Sequence, residues 1–268
     1  MNTVSVDPAA PVRPLMKSWQ FRTRARAAGI HLLISLGVAA LAAILVFAVW
    51  YPGPFRWLAG GRDLFLLVMS VDVVIGPLLT FAVFNRAKGA RHLRRDLAVI
   101  GVLQAAALAY GLHTVYIVRP VAMVFEVDRF RLINADSVHL DELPKAPPAY
   151  RTLPLTGPWL LAARRPESVA EHNDALFRGA AGVDVAQRPL FWQDYEIARP
   201  RALARSRPIA LLIAHYGARA PDLRDRLLEM HADPTSARFL PAMARGEWVA
   251  VLSADGNLVG YLPVDGFF

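Results

Sequence analysis

Residues 30–51 read IHLLISLGVAALAAILVFAVWY, 22 positions without a charge, lying between Arg26 and Arg56. A helix of about 20 residues rises far enough to cross a hydrocarbon core of roughly 30 Å. In lipid the backbone is satisfied only by a helix or a closed barrel, and an unbroken apolar run is the helical solution. Working outward, the pattern repeats twice. Asp63 to Arg86 encloses a second apolar run interrupted only by Asp72, and Asp96 to Arg119 encloses a third with no charge at all. The expected fold class is therefore a membrane protein. A three-helix transmembrane bundle over residues 29–118, with spans near 30–51, 64–85 and 97–118, precedes a small periplasmic α+β domain over residues 119–268.

Residues 1–28 form a basic leader. A cleaved signal peptide would have a shorter apolar core and a small-residue cleavage site. The first run instead exits through Trp50-Tyr51-Pro52-Gly53-Pro54-Phe55, so the first span is expected to be retained.

Charge separates the two halves. Up to Val118 there are 12 basic and 4 acidic residues, and from Arg119 onward 18 of each, so the whole formal +8 lies among the apolar runs. A neutral C-terminal half offers no footprint for phosphate, which argues against nucleic acid as a partner. There is no cysteine, which excludes disulfides, thiol nucleophiles and thiolate metal sites.

Lysine and arginine also set the orientation. The leader carries Arg13, Lys17, Arg22, Arg24 and Arg26, and the second loop Arg86, Lys88, Arg91, Arg94 and Arg95; the first loop has only Arg56 and Arg62. This bias predicts a bacterial inner-membrane protein with a cytoplasmic N-terminus and a periplasmic C-terminal domain. Trp50, Tyr51 and Pro52, with Trp57 and Tyr116, are the candidate outer-interface residues.

Asp72 is the most informative single position. It lies about 14 Å into the second span by helix rise, and an acid at that depth costs at least about 2.5–3.5 kcal/mol on insertion scales. Met69, Gly76 and Thr80 share its helical face. Gln104 on the third span reaches a similar depth, beside a Gly101, Ala105, Ala109 stripe suited to close helix approach. Two readings are open: Asp72 is polar glue bonded to Gln104 or a carbonyl, or it receives the helix of a client. Gly76-Pro77 predicts a kink near Val73. Asp72, Gly76, Pro77 and Gln104 are thus the candidate intramembrane polar or partner-binding residues. His31 and His113 lie near opposite ends of their spans and are read as interfacial or polar-glue residues.

Three segments taken together resemble a known family: Trp50 to Phe55; Val71-Asp72-Val73-Val74-Ile75-Gly76-Pro77-Leu78-Leu79-Thr80; and Asp96 to Ile100 with Tyr110 to Tyr116 and Arg119-Pro120. In order and spacing they are similar to the type IV pilin accessory proteins of the TfpX/TfpZ family, from about Gly29 to Asn134. The resemblance implies a non-catalytic role as a membrane chaperone, with a type IV pilin and the lipid bilayer as partners and no cofactor.

Beyond the spans, Val121 to Val127 and Phe130 to Asn134 read as two strands, and the prolines from Pro144 to Pro158 as an extended segment without helix. Trp159 to Ala163 reads as a strand. Ser168 with Glu171 forms a capping-box pattern opening a helix to about Gly179. A helix is expected from near Gln193, fragmented by Pro200 and Pro208, and another over Asp222 to His231. Asp255-Gly256 between apolar runs predicts a closing hairpin. No nucleophile elbow, zinc helix or phosphate-binding glycine loop is present, so no catalytic or metal site and no small-molecule substrate is expected. Glu171-His172-Asn173-Asp174 are adjacent on a helix and point different ways. The rival reading is a membrane-anchored periplasmic ligand-binding or sensor protein; against it, the cytoplasmic segments are too short for an output domain.

Overall fold

The computed structural model describes residues 15–85 and 89–268. Arg13, Arg86 and Lys88 lie outside them. Three helices are long and apolar enough to cross a membrane: Gln20–Trp50, Gly61–Val83 and Ala90–Ile117. The first is α1 (Leu15–Ile44), which begins within the basic leader and ends in a π-helical turn, Leu45–Trp50. A short α2 (Phe55–Leu58) follows. The second span is α3 (Gly61–Ser70) and α4 (Gly76–Val83), joined by a second π turn, Val71–Ile75. The third is α5 (Ala90–Ile117).

The chain divides into two compact units, one of residues up to Ala42 with Leu66–Leu112, the other of Ala43–Phe65 with His113–Phe268. In the first unit, Leu33, Leu41, Leu67 and Val102 are each about two-thirds exposed, a surface suited to lipid. Phe21 meets Phe81 edge to face at 5.5 Å. The small-residue stripe works differently from the sequence expectation. A Cβ at Gly101 would meet nothing within 4 Å, whereas one at Gly111 would lie 2.2 Å from a Val68 methyl. Close approach of α3 and α5 is therefore made at Gly111, and Gly101 faces open space.

The second unit is built on a curled eight-stranded sheet: β1 (Pro120–Glu126), β2 (Arg129–Asn134), β3 (Trp159–Ala163), β4 (Trp192–Asp194), β5 (Arg207–Pro208), β6 (Arg238–Ala244), β7 (Gly246–Leu252) and β8 (Leu258–Leu262). The order is β4-β3-β1-β2-β6-β7-β8, with β5 beside β6. β1 is antiparallel to β2 and parallel to β3, and β2 runs parallel to β6. Every residue of β1 is buried, because both faces of the sheet are covered. Met123 and Phe125 enter one cluster with Phe130 and with Tyr195, Ala198 and Ala202 of α7 (Tyr195–Arg205). Val121 and Val124 enter another with Ile133, Leu161 and Trp192. A third cluster packs α8 (Ile209–His215) and α9 (Ala220–Glu229) on β7 and β8.

The loop between the first two spans is part of this core. Leu58 is fully buried among Met123, Phe130 and Leu240, and its carbonyl accepts from Arg245 N at 2.8 Å. Tyr51 is fully buried and donates to the Val115 carbonyl at 2.9 Å, while the Val49 carbonyl accepts from Gly157 N. Burying a leucine contributes about 1.5–3 kcal/mol, so this loop is held as core and not as a free connection. Tyr51, a candidate outer-interface residue, is thus packed inside this unit. Trp50 packs on Tyr116 at 5.3 Å, Pro52 is half-buried, and Trp57 stays about half exposed under Arg62.

Other elements also depart from the sequence reading. α7 runs through Pro200 without breaking. The proline-rich segment carries 3-10 turns at Leu140–Lys145 and Pro148–Tyr150. In α6 (Val169–Ala180) the Ser168 hydroxyl accepts from Glu171 N as predicted, but the Glu171 carboxylate returns to Glu167 N and not to the cap residue. Its stronger partner is Arg164, which makes two bonds at 2.8 and 2.9 Å and draws the carboxylate one residue further back.

Candidate functional site

The site is made by the break in the second span. Proline at 77 has no N–H to return to the preceding turn, so a carbonyl there loses its helical donor. The backbone widens into the π turn at Val71–Ile75, a feature frequent at functional sites. Gln104 of α5 supplies the missing donor: its Nε2 reaches the Asp72 carbonyl at 3.1 Å. Gly76 allows this, since a Cβ there would lie 1.9 Å from Gln104 Nε2. The predicted kink thus takes the form of a widened turn, with Asp72, Gly76, Pro77 and Gln104 brought together around it.

The Asp72 side chain is 8% exposed, and its Oδ1 has no hydrogen-bond partner among the described residues. It lines a cavity of about 220 Å³ between α1, α3 and α5, with Ser35, Ala39, Met69, Gly101 and Ala105. Beside it, His31 and Thr80 share a hydrogen bond of 2.5 Å. The wall is therefore mostly small or apolar, with one acid, one histidine, the Ser35 hydroxyl and the Gln104 amide among it. A buried oxygen with no donor is costly, and chemically the cavity can accept an N–H, O–H or cationic group carried on an apolar helix.

Comparison with known proteins places the chain. A fimbrial assembly protein of Dichelobacter nodosus, serogroup I, is 35% identical over 255 residues, covering 94% of this chain and 99% of the relative. The chain belongs to the fimbrial assembly protein family. A serogroup E1 member from the same organism is 34% identical over 255 residues, with the same coverage. Another, of serogroups C1 and C2, is 44% identical over 131 residues, 49% of this chain and all of the relative. The family model described as fimbrial assembly protein FimB matches residues 19–60, which in this structure are α1 and the loop whose Tyr51 and Leu58 are buried. No solved structure matches the chain.

Sequence reasoning found Asp72 and Gln104 but not the role of the carbonyl between them. It also missed the pairing of His31 with Thr80, although Thr80 had been placed on the Asp72 face. The pairing of α1 with α4 has no sequence period of its own. Among the remaining candidates, Glu171 bonds Arg164, while Asp174 bonds Arg178 and Arg188. His139 approaches Asp141 at 3.8 Å, and His215 stacks on Phe268 at 3.8 Å.

Proposed function

We propose that this protein is an inner-membrane accessory factor of fimbrial assembly. It holds a type IV pilin subunit in the bilayer by docking the subunit's membrane helix at the Asp72 cleft. It works by packing and hydrogen bonding, as a chaperone without turnover, cofactor or small-molecule substrate. The N-terminus is cytoplasmic and the C-terminal domain periplasmic. Membership of the fimbrial assembly family supports the process. The observation that carries the site is the unpartnered Asp72 oxygen in a cleft with a small-residue wall. Polar glue with a single role in the bundle would have all its bonds closed within the bundle.

The test is in vivo crosslinking from a photoreactive residue at position 105, followed by recovery of the full-length protein in detergent. The wild type is expected to capture pilin, and Asp72→Leu to insert normally yet lose most of that crosslink and of surface fimbriae. Unchanged capture and fimbriation in Asp72→Leu would reduce Asp72 to bundle glue. Orientation is read separately: an alkaline phosphatase fused to Phe268 should be active, and an inactive one in a stable fusion would reverse it.

A further inference from the structure

A second cavity, of about 260 Å³, lies in the C-terminal domain where the end of β3 meets α6 and α7. Four arginines line it, Arg164, Arg165, Arg201 and Arg205, with His172 beside them, and among the described residues no carboxylate does. Among the described residues only Arg164 of these has acids beside it: Glu171, bound through two guanidinium nitrogens, and Glu167 at 3.8 Å. Acids of the neighbouring elements are engaged elsewhere: Glu126 accepts from Arg131, and Glu196 pairs with Arg199. Arg201 lies over the Phe125 ring and donates to the Ala163 carbonyl at 2.6 Å, yet its Nε is buried without an acceptor. Arg165 and Arg205 are exposed and form no ion pair among the described residues. Burial and the Arg165 charge together pull the Arg201 guanidinium below its usual range. The cations are thus poised around a space that an anion would relieve.

The rest of the lining selects among anions. Leu176 and Val185 give the cavity an apolar wall, and Val127 forms its rim. Val127 sits in the two-residue turn between β1 and β2 with φ at 49° and is 66% exposed. A β-branched residue rarely adopts that conformation, and such strain collects at ligand sites. We propose that this cavity binds a carboxylate carried on an apolar group the size of one residue, with Arg165, Arg201 and Arg205 receiving its oxygens. Guanidinium forks match a planar carboxylate. The volume lies just below the ordinary ligand-pocket range of roughly 300–1,000 Å³. A peptide C-terminus and a free N-acylated amino acid share this chemistry.

Calorimetry on the full-length protein in nanodiscs tests the assignment with N-acetyl-leucine, its amide, and a hexapeptide ending in leucine with a free carboxylate. The acid should bind and the amide bind at least about tenfold more weakly, because charged hydrogen bonds are lost. Arg165→Gln and Arg205→Gln should each weaken the acid about tenfold. Both positions are exposed, so the melting temperature serves as the control for folding. A hexapeptide bound more tightly than N-acetyl-leucine identifies a chain terminus as the source, and equal affinity identifies the free acid. The proposal is overturned by absence of binding at millimolar acid, by equal binding of acid and amide, by retention of affinity in both variants, or by competition from inorganic phosphate at the same concentration.

Discussion

The helical bundle and the C-terminal domain each bury an acid, and each surrounds it differently. Asp72 is 8% exposed and has an oxygen without a partner. Glu142 is 4% exposed, and both its oxygens accept from Arg188 at 2.7–3.2 Å. Arg188 is further held by Asp174 at 2.7 Å and lies over the Phe191 ring. This network ties the Leu140–Lys145 turn to α6 and to the approach to β4, a stretch where proline leaves few backbone bonds. The carboxylate of Glu142 is bonded within the domain, whereas Asp72 keeps the open oxygen on which its proposed receiving role rests. The contrast teaches that two acids of similar burial can differ in whether their own oxygens are bonded.

The largest expected effect tests the Glu142–Arg188 pair, in which both carboxylate oxygens are bonded although Arg188 Nη1 has no acceptor among the described residues. Arg188→Met leaves Glu142 buried and uncompensated, and should destabilise the C-terminal domain by about 3–5 kcal/mol. The double variant Arg188→Met/Glu142→Leu should recover most of that loss, because replacing both partners by apolar groups of similar size is often close to neutral. Thermal melts of both variants check this. A double variant as unstable as the single one would mean that the pair contributes more than mutual compensation. For Asp72 the expectation is opposite in sign. Asp72→Leu should leave bundle stability unchanged or raise it by up to about 3 kcal/mol, since an ionisable polar group is removed from the span. A large destabilisation in detergent unfolding would place Asp72 with Glu142 and erase the contrast.

These two acids also differ in how far the sequence revealed them. A charge inside a run such as Val71 to Thr80 has no bland company, so Asp72 stands out by itself, and Pro77 announces the break beside it. Glu142 lies among His139, Asp141 and Pro144, where nothing distinguishes a buried acid from a solvated loop, and Arg188 is 46 residues away. The spans, the β1–β2 hairpin, β3 and the closing hairpin were legible because periodicity and turn residues are local. β6, α8 and the passage of α7 through Pro200 were not, since tertiary packing overrides propensity there. The burial of Leu58 and Tyr51 was also invisible: a loop between two spans reads as exposed unless the sheet that covers it is known. Gln104 was found by depth, but its bond to a carbonyl follows from the missing N–H of Pro77, which is a statement about backbone geometry.

The smallest expected effect concerns an acid between these extremes. Glu171 is half-buried, and its two bonds to Arg164 hold its carboxyl at about 2, well below the usual carboxylate range. A folded-state pKa depressed in this way contributes stability that is fully present above the unfolded value of about 4.3. It is lost as pH falls through about 2. The Ser168–Glu171 start of α6 should therefore loosen across that acid window, and the protection of the Glu167 and Glu171 amides relative to their intrinsic exchange rates should fall there. Glu171→Gln keeps the shape but loses the charge, so the protection of these amides should already be lower at neutral pH and should change less on acidification. An identical pH response in wild type and Glu171→Gln would assign the loosening to Asp174, the other acid of α6, and the Arg164 clip would then be as passive as an exposed surface pair.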